Sequence, residues 1–280
     1  ITLKNIIRVQ NMEEIQFIEK GSSKNCLLLI HGFCSGPEDW EDQIKFFCAD
    51  FTVLAPTLRG HDGNNYKNRP MSIEQLSNDC VKILEKKSFK KVVIAGHSMG
   101  TRLAIDIASK IKNISGLILV DGSRFSNYET YFEVLSNFEN SLKQSNFQSV
   151  LTQMFSSMFF SDIFKNDRDR IIKRAINIPE KYSLPLRRNA MWYDSHCVQN
   201  NLKKLRLPIL VIQSTKIDTE NKRKTIKKSD DISYVNFIKK FSTNNEVFLL
   251  ENTGHYISIE KPQIINKIIL DWLIKLKVHF

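Results

Sequence analysis

The sequence predicts an α/β fold, a mostly parallel sheet of about eight strands flanked by helices, on three observations. Short apolar runs rich in β-branched residues alternate with segments of helical period. Several of these runs (LLLI, VVIA, LILV, ILVI) carry no polar residue, as befits strands buried on both faces. One of them leads directly into a Gly-x-Ser-x-Gly turn and then a helical pattern.

Taken in order, the predicted strands are Glu14–Ile18, Cys26–His31, Thr52–Pro56, Val92–Gly96, Leu117–Val120, Ile209–Gln213 and Glu246–Leu250. Glu14–Ile18 alternates polar and apolar residues and belongs near an edge. Ser72 begins a helix reaching about Lys87, with Gln75 three residues on to complete a capping box. Ile73, Leu76, Cys80, Ile83 and Leu84 give that helix one apolar stripe. Thr101–Lys110 continues the serine turn as a helix. Pro262 opens the final helix, where its missing N–H costs little. Between residues 124 and 206 the alternation stops, and a helical, phenylalanine-rich stretch intervenes. The expected organisation is therefore a core of residues 1–123 and 207–280 with a helical cap at 124–206.

Composition narrows the class. Of 280 residues 42% are hydrophobic and 25% charged, ordinary for a globular protein. No apolar run approaches the roughly 20 residues of a transmembrane helix. The five cysteines (Cys26, Cys34, Cys48, Cys80, Cys197) are odd in number, widely spaced and without a Cys-x-x-Cys pair, so reduced thiols and a cytoplasmic setting are expected, with no zinc site. The net charge of +11 comes mostly from scattered lysines. Its one concentration, KRKTIKK at 222–228, lacks the interleaved aromatics of a base-stacking surface, so no specific nucleic-acid partner is expected. Oligomeric state leaves no mark in the sequence.

The serine in VVIAGHSMGT carries the functional reading. A nucleophile must protrude while its neighbours stay clear, and a sharp strand-to-helix bend does this where glycine stands two places before and after. Gly96-His97-Ser98-Met99-Gly100 has that spacing. The following helix start offers free N–H groups and a positive dipole end to an oxyanion. In LLLIHGFCSGPEDW, residues 27–40, a strand ends in His31-Gly32-Phe33, so the N–H groups of Phe33 and Met99 are the candidate oxyanion donors. In NTGHYISIEKP, residues 252–262, His255 follows a strand and precedes the last helix, where it can serve Ser98 as general base.

With these blocks in place the chain resembles the α/β-hydrolase family. HGF with Trp40, TLRGHDGN at 57–64, GHSMG, and GH followed by ExP occur in the family's order, and 124–206 corresponds to its variable cap. The resemblance implies a Ser-His-acid triad acting without metal or organic cofactor. In the family the acid usually follows the strand before that of the catalytic histidine, which here ends PILVIQSTKIDTENKR. The expected aspartate position holds Ile217, and Asp218 lies one place on. Asp218 is thus the first candidate. Asp121, in LILVDGS, and Asp194, in the cap segment MWYDSH, are the alternatives.

The expected activity is hydrolysis of a carboxylic ester or similar acyl compound, an apolar small molecule, through an acyl-enzyme. Alternatives are carbon–carbon bond hydrolysis or cofactor-free perhydrolysis with the same triad, or a binding module without catalysis. Candidate pocket residues are Cys34, Phe125, Phe155, Met158, Phe159 and Trp192. His31, His97 and His61 are expected to order backbone rather than react.

Overall fold

The computed structural model describes residues 6–7, 15–64, 66, 69–218 and 222–278. Among the described residues ten strands run in chain order: β1 (Ile6–Ile7), β2 (Phe17–Lys20), β3 (Asn25–Ile30), β4 (Thr52–Pro56), β5 (Lys91–His97), β6 (Ile114–Val120), β7 (Ile209–Gln213), β8 (Thr215–Ile217), β9 (Arg223–Thr225) and β10 (Asn245–Leu249). Eight of them form one sheet in the order β1-β2-β4-β3-β5-β6-β7-β10. β1–β2 and β2–β4 pair antiparallel, and every other pair in the sheet is parallel. The expected fold class is borne out. The first predicted strand is displaced, since Glu14 lies outside the described residues and the strand is Phe17–Lys20, set by pairing Phe17 with Pro56.

Among the described residues eleven α-helices accompany the sheet: α1 (Glu41–Phe47), α2 (Ile73–Glu85), α3 (Gly100–Lys110), α4 (Tyr131–Gln144), α5 (Phe147–Ser156), α6 (Lys165–Asn177), α7 (Glu180–His196), α8 (Val198–Lys204), α9 (Ser233–Phe241), α10 (Ile257–Glu260) and α11 (Pro262–Lys275). Ser72 Oγ accepts from Gln75 N at 3.2 Å and so caps α2. Only half of the expected capping box forms, because the Gln75 side chain turns forward to Asp79 Oδ1 at 3.2 Å.

The strand period of two divides the core between the faces of the sheet. Leu27, Leu29, Val93, Ala95, Ile118, Val120, Leu210 and Ile212 pack with Trp40, Ile44 and Phe47 from around α1 and with Ile265, Ile269 and Trp272 of α11. Leu28, Ile30, Ile94, Leu117, Leu119 and Val211 face α2 and α3 together with residues of α5 to α9. All of these strand residues are buried, as a parallel sheet covered on both sides requires. Helices α4 to α8 lie between β6 and β7 in the chain, and α8 packs on α3.

In a parallel sheet the residues just past the strands' carboxyl ends collect along one edge. Three of these depart from ordinary backbone here: Cys34 (φ 51), Ser98 (φ 54) and Asp121 (φ 41), following β3, β5 and β6. Left-handed backbone at a residue with a side chain is strained and gathers where function demands it.

Candidate active site

Ser98 stands at the bend between β5 and α3. A Cβ on Gly96 would lie 2.2 Å from Gly100 O, and one on Gly100 2.4 Å from Ile30 O, so both flanking positions admit only glycine. Gly32 closes the neighbouring turn against the serine, since a Cβ there would sit 3.2 Å from Ser98 Cβ. Phe33 and Met99 are buried beside it, and among the described residues neither N–H donates to another group. Both donors are therefore unspent next to Ser98.

Two histidines brace this loop. His31 Nδ1–H donates to Gly32 O at 2.8 Å, and its Nε2 accepts from Leu58 N at 3.0 Å. His61, in the RGHDGN loop, donates to Arg59 O at 3.0 Å and accepts from Cys34 N at 3.1 Å. Burial holds both rings neutral: His31 falls well below the usual range, and His61 falls to about 4. Cys34 beside them is fully buried, and that burial raises its thiol far above neutrality, so it offers packing rather than a thiolate.

His255 is fixed through its backbone as well as its ring. Its N–H donates to Met158 O at 2.8 Å, and His97 Nε2–H donates to its carbonyl at 2.8 Å. The preceding Gly254 gives its N–H to Glu260 Oε2 at 2.8 Å, and its carbonyl accepts from Ser214 Oγ at 2.6 Å. His97 adjoins Ser98 in sequence, and its ring centroid is 4.6 Å from that of His255. The serine loop and the histidine loop are thus tied together.

The carboxylate on His255 is Asp121, with Nδ1–H donating to Oδ2 at 2.6 Å. This corrects the expectation of Asp218. That residue closes the hairpin of β8 and β9, where its Oδ1 accepts from Lys222 N at 2.8 Å and its N–H donates to Lys222 O at 2.9 Å. Asp194 is also otherwise engaged, holding Arg102 Nε and Nη2 at 2.7 Å each and Phe125 N at 2.7 Å.

Asp121 sits in a cradle that the sequence did not reveal. Oδ1 accepts from the N–H groups of Ser214 and Thr215, both at 2.8 Å, and from Ser214 Oγ at 3.1 Å. Oδ2 also accepts from Thr215 Oγ1 at 2.5 Å. Arg223 Nη1 stands 3.4 Å from Oδ2 and donates to Thr215 Oγ1 at 2.5 Å. The basic run at 222–228 therefore turns its arginine inward. Burial alone would raise the Asp121 pKa, but the His255 hydrogen bond, Arg223 and Thr215 carry it below the ordinary carboxylate range. Burial, with Arg223 and His97 nearby, lowers His255 to about 3 against the pull of Asp121, which leaves a neutral imidazole. The Nδ1–H bond fixes the tautomer, so Nε2 carries the free lone pair.

The expected pocket residues divide. Phe155, Met158 and Phe159 are buried, and Phe159 stacks on Tyr256, next to His255, at 5.1 Å and 5°. Phe125 lies beneath Arg187, whose Cζ is 3.9 Å from the ring centroid. Trp192 does not join them: it is 37% exposed and stacks on His196 at 5.2 Å, on the outer turn of α7. Among the described residues no three His, Cys, Asp or Glu side chains converge as a metal site, and no helix is long and apolar enough to cross a membrane.

Known proteins share this fold. The chain is 25% identical over 302 residues to human monoacylglycerol lipase ABHD6, spanning 97% of this chain and 83% of the human protein. Its fold is similar to that of a thermophilic esterase from Thermogutta terrifontis, with a TM-score of 0.75, 21% identity and 95% of each chain covered. A hydrolase from Pseudomonas aeruginosa also matches with a TM-score of 0.75, at 17% identity over 97% of this chain and 99% of that one. Residues 25–262 match the family model described as the alpha/beta hydrolase fold, and the chain belongs to that family.

Proposed function

We propose that this protein is a serine hydrolase of carboxylic esters, in which Ser98 is the nucleophile, His255 the general base and Asp121 the residue that orients it. The observation that carries this reading is the 2.6 Å bond from His255 Nδ1 to a fully buried Asp121, with the free face of the ring belonging to a loop pinned to His97. Esterase and lipase activities named for similar proteins agree with it. A module that binds without catalysis would need no acid on its histidine, and the Asp121–His255 bond supports catalysis instead.

In this mechanism Ser98 Oγ attacks the ester carbonyl carbon while its proton passes to His255 Nε2. The developing oxyanion takes hydrogen bonds from Phe33 N and Met99 N, each worth about 10²–10³ in rate by comparison with other such donors. The intermediate collapses to an acyl-enzyme, and the leaving alcohol takes the proton from Nε2. Water, deprotonated by the same nitrogen, then releases the carboxylic acid and restores the serine. Asp121 remains ionised and keeps Nδ1 protonated throughout.

Helices α4 to α8 act as a cap over this site. Three contacts support that role: Met158 O on His255 N at 2.8 Å, Phe159 stacked on Tyr256 at 5.1 Å, and Arg187 Cζ 5.9 Å from the Phe33 ring. Phe155, Met158 and Phe159 bring apolar surface to the acyl group. The test is labelling with a fluorophosphonate. Wild-type protein is expected to be modified at Ser98, and Ser98→Ala to be folded, unlabelled and inactive on p-nitrophenyl butyrate. A folded wild-type protein that resists the probe and hydrolyses no ester would refute the assignment.

A further inference from the structure

Among the described residues the cap carries a cation without a counter-ion. Three neighbouring arginines have acids: Arg59 meets Asp79 at 2.7 and 2.6 Å, Arg102 meets Asp194, and Arg174 pairs with Glu38 and Asp39, while Arg124 donates its Nε to the Asp194 carbonyl at 3.2 Å. Arg187, on α7, has none among the described residues. Its guanidinium lies partly buried over rings instead, with Cζ 3.9 Å from the Phe125 centroid and 5.9 Å from those of Phe33 and Phe138. Asp194 is close enough to act on it electrostatically, but its two oxygens already serve Arg102 and Phe125 N.

The local charge balance is therefore uneven. Arg102 is offset by Asp194, and Arg223 by Asp121 with His255 neutral, leaving Arg187 as a net positive charge. Burial, reinforced by repulsion from Arg102, lowers Arg187 to about 10, which still leaves it charged at neutral pH. A half-desolvated cation is costly unless a partner arrives, and cation–π contact compensates only in part. The planar guanidinium fork matches two oxygens of one anion. Phe33, the ring it approaches, belongs to the residue whose N–H serves as oxyanion donor in the mechanism above. An anion paired with Arg187 would lie beside the scissile carbonyl.

We propose that Arg187 is a specificity-determining residue that selects ester substrates bearing a carboxylate or phosphate near the scissile bond. This inference rests on the serine-hydrolase reading. The experiment compares kcat/KM for two matched pairs. One is 4-nitrophenyl hemiglutarate against 4-nitrophenyl pentanoate, and the other is 1-butanoylglycerol 3-phosphate against 1-butanoylglycerol. The anionic member of at least one pair is expected to win by about tenfold or more in the wild-type protein, and the winning pair identifies the anion. In Arg187→Met that ratio is expected to fall about tenfold or more through KM, with Arg187→Lys intermediate. As a readout separate from turnover, glutarate or glycerol phosphate, matching the winning pair, should raise the Tm of Ser98→Ala and lose that effect when Arg187→Met is added.

A wild-type ratio at or below one in both pairs, or a ratio unchanged in Arg187→Met, overturns the proposal. The wild-type ratios stand even if the methionine variant does not fold. Labelled Ser98 with neutral esters preferred would sink this inference alone. No turnover of any member, with Ser98 refractory to fluorophosphonate, would sink both readings.

Discussion

Replacing Asp121 with asparagine tests the identity of the acid directly. Oδ1 of Asp121 accepts from the N–H groups of Ser214 and Thr215 at 2.8 Å each. An asparagine must keep its carbonyl oxygen there, because an amide NH₂ cannot face two donors. Its Nδ2 then points at His255 Nδ1, 2.6 Å away in the native protein, and donates where the carboxylate accepted. The imidazole must answer by moving its proton to Nε2, which leaves no lone pair to take the Ser98 proton. A wrong tautomer of this kind costs about 10⁴ in kcat in a well-studied protease triad, or about 5 kcal/mol of barrier. The assay is kcat on p-nitrophenyl butyrate, with Tm as the check on folding. Asp121→Asn is expected to retain about 10⁻⁴ of wild-type turnover, and Asp218→Asn to stay within about twofold because that side chain only closes a hairpin. A folded Asp121→Asn with more than about a tenth of wild-type activity would refute the reasoning. So would a hundredfold loss in folded Asp218→Asn.

Gly100→Ala is expected to lose about 3 kcal/mol or more by urea denaturation, since its Cβ would lie 2.4 Å from Ile30 O on a central strand. The pH profile of kcat/KM should keep its acid limb well below the usual histidine range, because the base is lost only as pH falls through the lowered His255 value of about 3; a limb centred near 6.5 would count against the buried ring. Stability should also fall between pH 7 and pH 5. Folded His31, His61, His97 and His255 bind protons only at lower pH than the unfolded chain does, so each removes up to about 1.4 kcal/mol per pH unit below its unfolded pKa. Glu260, raised to about 7 by burial, acts in the opposite sense, but it is one carboxyl against four rings. A urea midpoint that is flat or rising from pH 7 to pH 5 would contradict this. Finally, Ser72→Ala should cost about 1 kcal/mol of stability, the loss of one cap bond to Gln75 N.

Local features were the legible ones. The bend at Ser98 was readable because its geometry is set within five residues, and each glycine is excluded from change by backbone only a few residues away or on the adjoining strand. The strands were readable because a parallel strand covered on both faces must be apolar throughout, as Leu27–Ile30 and Leu117–Val120 are. The acid was not. β6 and β7 are neighbours, with Asp121 N donating to Ile212 O at 2.8 Å, so their ends lie about 5 Å apart in space though some ninety residues apart in the chain. A histidine arriving from β10 can be met by a carboxylate on either strand end. Family spacing pointed to the β7 side, whereas Ser214 and Thr215 there supply donors to a carboxylate held on β6. Trp192 was misplaced for a related reason: helical period says which residues share a face, and only packing says which face is inward.

By itself, then, the chain determined the alternating elements, the serine at the bend and the histidine before the last helix, because each depends on neighbours within one or two turns. Tertiary structure alone decided which carboxylate meets that histidine, that Arg223 leaves a basic run to line the site, and that Arg187 faces aromatic rings with no acid paired to it among the described residues. Those are contacts between residues distant in sequence, and the energy of a buried charge is set by what surrounds it in space.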